Sequence, residues 1–176
     1  MSSILKVDQL KDSGGNAIIT SDGSGNITTG TGMGKVLNVV QGSHTTAVTN
    51  STTTYADTGL TASITPISTS NKILVLVNQS FLIQDNGGGA AGADIRLMRD
   101  STVIVGNQER FQIFTQALGS SNQAQYNRYT MNILDEPSTT NSIVYKTQCV
   151  SYTGADYITT SPSNFGATLI LMEVSG

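Results

Sequence analysis

Past residue 35 the apolar positions of this 176-residue chain alternate with polar ones or run in short blocks, without the three-or-four-residue recurrence of an amphipathic helix. Strands are therefore expected throughout. Val36-Leu37-Asn38-Val39-Val40-Gln41 opens the series. Residues 54–57 and 60–64 follow on either side of Thr58-Gly59, and Pro66, which cannot donate to a ladder, closes that region. Residues 72–84 are the most hydrophobic stretch and rich in β-branched side chains, which predicts a central strand buried on both faces. Asp85-Asn86-Gly87-Gly88-Gly89-Ala90-Ala91-Gly92 ends it as loop. Residues 93–99 alternate well, and Asp100-Ser101 predicts a tight hairpin turn into 102–105. Residues 109–118 fit either a strand or one short helix, and 119–125 read as polar loop. Residues 128–134 set Tyr129, Met131 and Ile133 against Arg128, Thr130 and Asn132, the pattern of a half-buried antiparallel strand. Residues 135–141 read as a surface connection, 142–152 as a further strand, and 167–174 as a second near-continuous apolar run. An apolar run left on an open edge would aggregate, so the last strand is expected inside a sheet, with Gly176 emerging at one end of the sandwich. About eight to ten short strands in roughly 140 residues predict an all-β fold, an antiparallel jelly-roll-like sandwich with very little helix.

Residues 1–34 differ. Their apolar side chains come in brief extended groups, Ile4-Leu5-Lys6-Val7 with Leu10, then Ala17-Ile18-Ile19, then Ile27, each ended by a Gly-rich turn. That is too little to offset the roughly 1–2 kcal/mol per residue that backbone ordering costs. The chain is thus read as an extended N-terminal arm, residues 1–34, followed by a β knob, residues 35–176. Ile4, Leu5, Val7, Leu10, Ile18, Ile19 and Ile27 are expected to be buried by neighbouring polypeptides, because an isolated hairpin is marginal in water. Three copies could wind into a shared stem whose ladders each chain completes for the others. Alternatively the arm adds a strand to another protein's sheet.

Composition narrows the partners. Net charge is −3 and the nine Lys and Arg are scattered, so no basic stripe exists to neutralise a row of phosphates and no nucleic acid is expected. Charged residues are 12% of the chain, about half the usual share, whereas Ser and Thr supply about a quarter. A surface of hydroxyls and amides suits an extracellular or particle-borne β-protein; a strand-rich cytosolic domain is the plainer alternative. No run of 18 apolar residues predicts membrane insertion, and residues 1–11 lack the basic flank and apolar core of a signal peptide, so synthesis in a cytoplasm is expected.

The candidate chemistry is thin. Cys149, the single cysteine, lies in a strand pattern and reads as a small buried hydrophobe. His44 is the lone histidine and reads as a loop or strand-end residue; with Cys149 it makes too few ligands for zinc, and no metal or cofactor is expected. Asp22-Gly23-Ser24-Gly25-Asn26 lacks the alternating acids and closing Glu of a calcium loop and reads as a hairpin turn. Gly30-Thr31-Gly32-Met33-Gly34-Lys35 reads as a hinge, since no strand precedes it and no helix follows to converge amides on a phosphate. Glu109, Asp135, Glu136 and Asp156 are the acids from which a glycan-cleaving pair would be drawn. Without Trp or a long aromatic groove, no catalytic residue and no enzyme are expected. Tyr126, Tyr129, Tyr152 and Tyr157 are candidate ligand-facing residues able to stack on sugar rings, with core or interface packing as the plainer role.

Two segments carry a resemblance. Ser2-Ser3-Ile4-Leu5-Lys6-Val7-Asp8-Gln9-Leu10-Lys11-Asp12-Ser13-Gly14-Gly15-Asn16 resembles the start of virion fibre and appendage proteins of tailed phages, especially those of cyanobacteria. Tyr55-Ala56-Asp57-Thr58-Gly59-Leu60-Thr61-Ala62-Ser63-Ile64-Thr65-Pro66, the run into Val75 and the closing Ala167-Thr168-Leu169-Ile170-Leu171-Met172-Glu173 are similar to the terminal β-domain of such proteins. The resemblance implies a homotrimeric virion protein, made in the host cytoplasm and carried on the virion surface, with the arm on another virion protein (capsid, baseplate, portal or fibre) and the knob outward. Lacking a long repetitive shaft, the chain fits a short fibre, a head fibre or a capsid decoration protein. The second reading is a receptor-binding tip whose loops, residues 85–92 and 119–125, recognise a host surface glycan.

Overall fold

The computed structural model describes residues 7–29, 36–85, 90–106, 113–116, 123–152 and 156–176, and the chain divides into two units, Met1–Lys35 and Val36–Gly176. In the first, the short apolar groups form a three-stranded antiparallel meander: β1 (Gln9–Lys11), β2 (Ala17–Ser21) and β3 (Ile27–Thr29). The extended groups of the arm are therefore paired with one another, each Gly-rich stretch between them making the turn the sequence signals.

Among the described residues the second unit carries eleven strands: β4 (Val36–His44), β5 (Val48–Asn50), β6 (Ala56–Ile64), β7 (Lys72–Asp85), β8 (Ala90–Arg99), β9 (Thr102–Val105), β10 (Ile113–Gln116), β11 (Gln123–Asp135), β12 (Ile143–Ser151), β13 (Tyr157–Thr160) and β14 (Ala167–Val174). One antiparallel sheet runs β4-β14-β7-β13-β5 with β11 on the other side of β7; the second runs β10-β8-β12-β6 with β9 also on β8. Taking β4 with β5, β9 with β10, and β13 with β14 as interrupted strands leaves eight. The first pairs with the last, the second with the seventh, the third with the sixth and the fourth with the fifth. That nesting is a jelly roll, a long antiparallel hairpin rolled into two sheets.

Period-two alternation becomes burial. Strands β6, β12 and β14 each bury alternate residues, so Leu60 and Ile64, Tyr145 and Cys149, and Leu169 and Leu171 meet Ile73, Val75, Val77 and Phe81 between the sheets. Each fully buried aliphatic side chain here contributes about 1.5–3 kcal/mol of transfer free energy. The expected central position of the last strand holds: β14 lies between β4 and β7.

Several sequence expectations shift. Thr58-Gly59 does not divide two strands; β6 runs through them, with Gly59 at φ +84° and the His44 imidazole packed where a Cβ would stand. His44 is thus the end of β4, held against the neighbouring sheet. Strand β7 is buried on both faces only over residues 79–83, whereas its first half alternates. Residues 113–116 are strand, not helix; β7 runs on through Asp85 and β8 begins at Ala90, both within the stretch 85–92 read as loop, and β11 begins at Gln123 within 119–125, also read as loop. Asp135 is not part of a surface connection; it is nearly buried at the end of β11. The glycine hinge at 30–35 lies outside the described residues.

A row of polar side chains inside the sandwich is paired. Thr147 Oγ1 donates to Gln79 Oε1 at 3.0 Å and lies 2.5 Å from Thr58 Oγ1, a row joining the two sheets across the core. At the closed edge, β4 and β6 approach so closely that a Cβ on Gly42 would lie 2.1 Å from the Thr61 carbonyl oxygen.

Candidate functional site

The meander is built from a ten-residue repeat, Asp-x-x-Gly-Asn at 12–16 and again at 22–26. Asp12 Oδ1 accepts the amides of Gly14 (2.9 Å) and Asn16 (2.8 Å), and Oδ2 accepts Asn16 Nδ2 (3.0 Å). Asp22 repeats this with Ser24 (2.8 Å), Asn26 (3.2 Å) and Asn26 Nδ2 (2.6 Å). Gly15 and Gly25 supply the positive φ each turn requires. The Asn side chain, then the backbone amides, hold both carboxyls below the usual aspartate value. Both segments are hairpin turns, as the sequence predicts for the second.

Register decides which apolar residues act together. Leu10 pairs with Ile19, and Ile27 pairs with Ser21, two residues along β2 from Ile19. Leu10, Ile19 and Ile27 therefore share one face and are 51%, 37% and 64% exposed, whereas Ile18 points to the other face. Val7, ahead of β1, is also exposed. Ile4 and Leu5 lie outside the described residues.

The four tyrosines do not form one surface. Tyr129 is half-buried against the core, and burial, then the Asp94 charge, raises its hydroxyl pKa. The Tyr157 hydroxyl donates to Gln84 Oε1 at 2.8 Å, and Tyr152 is half-buried with its amide on the Gly92 carbonyl. Tyr126 alone of the four is more than half exposed, at 55%. Sequence reasoning missed its companion: Phe165, 53% exposed, stands on a turn after β13 and lines the same cavity, of about 350 Å³, as Tyr126 and Arg128. The only available signal was Pro162 followed by an aromatic in a polar loop. Of the two loops read as ligand-facing, residues 86–89 and 119–122 lie outside the described residues.

The acids weighed for cleavage are separated by role. Asp135 accepts Arg99 Nη1 on both oxygens (2.9 and 2.8 Å) and the Tyr145 hydroxyl on Oδ2 (2.6 Å). Glu136 pairs with Lys72 at the surface, and Asp156 is buried. Glu109 lies outside the described residues. Cys149 is fully buried, and burial pushes its thiol up to about 12. Among the described residues no three His, Cys, Asp or Glu side chains gather as a metal site requires. No helix among them is long and apolar enough to cross a membrane.

No family model and no curated protein matches the sequence. Solved structures similar to it include infectious bursal disease virus, Gx strain, at 12% identity and TM-score 0.35, covering 85% of this chain and 40% of that one. The VP2 subviral particle of infectious bursal disease virus stands at 12% and 0.35, covering 85% and 39%. Dimeric latent PorU from Porphyromonas gingivalis stands at 10% and 0.34, covering 80% and 14%. This chain thus spans about two fifths of the length of the first two. Backbone agreement this loose leaves function to be read from the chain's own residues.

Proposed function

We propose that this chain is a non-enzymatic structural protein of a tailed-phage virion, a short trimeric fibre or decoration protein. Residues 1–34 attach it to the particle and residues 35–176 form a β knob on the surface. The observation that carries the reading is the contrast between the two units. The knob buries its own apolar residues between two sheets, whereas the meander aligns Leu10, Ile19 and Ile27 on one exposed face with no core beneath them. Three short strands of this kind fall at the limit of independent stability, so a neighbouring polypeptide is the natural cover. The phage assignment rests on the resemblance of the opening segment and of the Asp57-Thr58-Gly59-Leu60 region.

The test is deletion of residues 1–34. The truncated protein is expected to fold with a cooperative transition and to be missing from purified particles, while Leu10→Asp with Ile19→Asp lowers incorporation at least tenfold. Truncated protein recovered on particles at normal copy number refutes the attachment role. Monomeric full-length protein at micromolar concentration in a light-scattering measurement refutes the trimer.

A further inference from the structure

The cavity on the outer face of the β7 sheet has features that packing alone does not account for. Ser80 and Leu82 of β7 point away from the core, and β11 sets Arg128 opposite Ser80 and Tyr126 opposite Leu82. Across β7, the turn at 162–165 folds over the same face and brings Pro162 and Phe165 to the opposite wall. The turn is firmly held. The Ser161 amide donates to the Ser80 carbonyl (3.0 Å), the Phe165 amide to the Pro162 carbonyl (2.9 Å), and the Ser80 hydroxyl to the Phe165 carbonyl. Ser161 and Ser163, both at φ 51°, take a left-handed conformation that non-glycine residues rarely adopt. Strained backbone persists where the surroundings over-determine it, and here the result is a half-exposed phenylalanine fixed opposite a half-exposed tyrosine.

The same wall carries a positioned cation. Arg128 Nη1 donates to Asn78 Oδ1 (3.0 Å) and to the Gly166 carbonyl (3.3 Å), which lays the side chain across β7. Both partners are neutral, and these bonds engage one of its three nitrogens, leaving Nη2 and Nε for a bidentate acceptor. Among the described residues no acidic side chain lines the cavity, and Asn127 adds a neutral amide to its lining. Two exposed aromatic side chains beside a guanidinium with no acid among the described lining residues suit a ring that is apolar on one side and bears a carboxylate. At about 350 Å³ the cavity is near the lower end of the ~300–1,000 Å³ usual for ligand pockets, the scale of a terminal sugar rather than a long chain.

We propose that this groove binds a carboxylated sugar residue, the ring stacking on Tyr126 and Phe165 and the carboxylate on Arg128. The ligand's being a sugar rests on the second sequence reading, glycan recognition by the knob; the site does not depend on virion attachment.

Full-length protein labelled with ¹⁵N is titrated with methyl glucuronide, with methyl glucoside and with acetate. The glucuronide is expected to give saturable shifts centred on Tyr126, Arg128 and Phe165 with a dissociation constant on the order of 1 mM. The glucoside should bind at least tenfold more weakly, and acetate should not saturate. Arg128→Gln should remove the preference for the acidic sugar, and Tyr126→Ala should weaken both sugars at least fivefold, with spectra otherwise unchanged. Equal affinity for the two sugars overturns the guanidinium role. Absence of saturable shifts at these residues overturns the site, as does a protein-concentration dependence of the same resonances without sugar, which would assign the groove to a second copy. Failure of the arm deletion to affect incorporation leaves all of these outcomes standing.

Discussion

Replacing Asp135 with Asn should destabilise the knob by about 3 kcal/mol. The carboxylate accepts three contacts, two from Arg99 Nη1 and one from the Tyr145 hydroxyl, and its side chain is only 10% exposed. Asn keeps the shape but has one acceptor oxygen, and its amide would face a donor whichever way it turned. Removing one member of a buried ion pair costs about 3–5 kcal/mol, and a hydrogen bond to a charged group is worth about 1.5–3. Arg99 keeps 25% of its side-chain exposure and can turn to water, which favours the lower end of the first range. For a chain of this length about 3 kcal/mol corresponds to roughly 6–12 °C in Tm. The assay is urea unfolding, in which the midpoint should fall at constant m, repeated in a Tyr145→Phe background. There the Asp135→Asn penalty should shrink by about 0.5–3 kcal/mol because the shared partner has gone. A loss under about 0.5 kcal/mol, the size of an ordinary surface substitution, together with strict additivity, would refute the coupling.

Burial, then the Asp135 bond and charge, raises the Tyr145 hydroxyl above its usual 10, so the neutral form stabilises the fold. That stability is complete below pH 10 and declines as pH rises, by up to about 1.4 kcal/mol per pH unit; Tyr145→Phe should flatten the slope in alkaline unfolding curves. Cys149, its thiol held up at about 12, should resist a disulfide reagent at pH 8 in the native state and react fully in denaturant; rapid native labelling would contradict its burial. Gly42→Ala forces a Cβ against the Thr61 carbonyl oxygen and should lower stability by about 1–3 kcal/mol in the same urea assay, with an unchanged midpoint as the opposing result.

The jelly roll was legible because β7 carries two apolar blocks, residues 73–77 and 81–83, β14 is a near-continuous apolar run, and short strands with turn signals at regular spacing fill the rest. Strands β5 and β13 were not, since three or four residues among Thr, Asn and Ser show no period until a neighbouring strand selects them. The meander was half legible: its turn chemistry is written in the Asp-x-x-Gly-Asn repeat, but which of Leu10, Ile18, Ile19 and Ile27 share a face depends on register across two turns. The Tyr126 cavity depends on a turn more than thirty residues downstream folding back over β7, and no local pattern announces that.

The nesting of first strand with last fixes the polarity of anything built from this knob. In the β4–β14 ladder Val36 stands opposite Val174, so the chain enters and leaves the sandwich at the same pole. Phe165 and Gly166 lie just before the other end of β14, eight residues and roughly 25 Å of strand away. Cargo fused after Gly176 would crowd the pole at which Val36 enters and leave the opposite one clear. A foreign peptide meant for display belongs in the connections at that opposite pole, beside the proposed sugar groove.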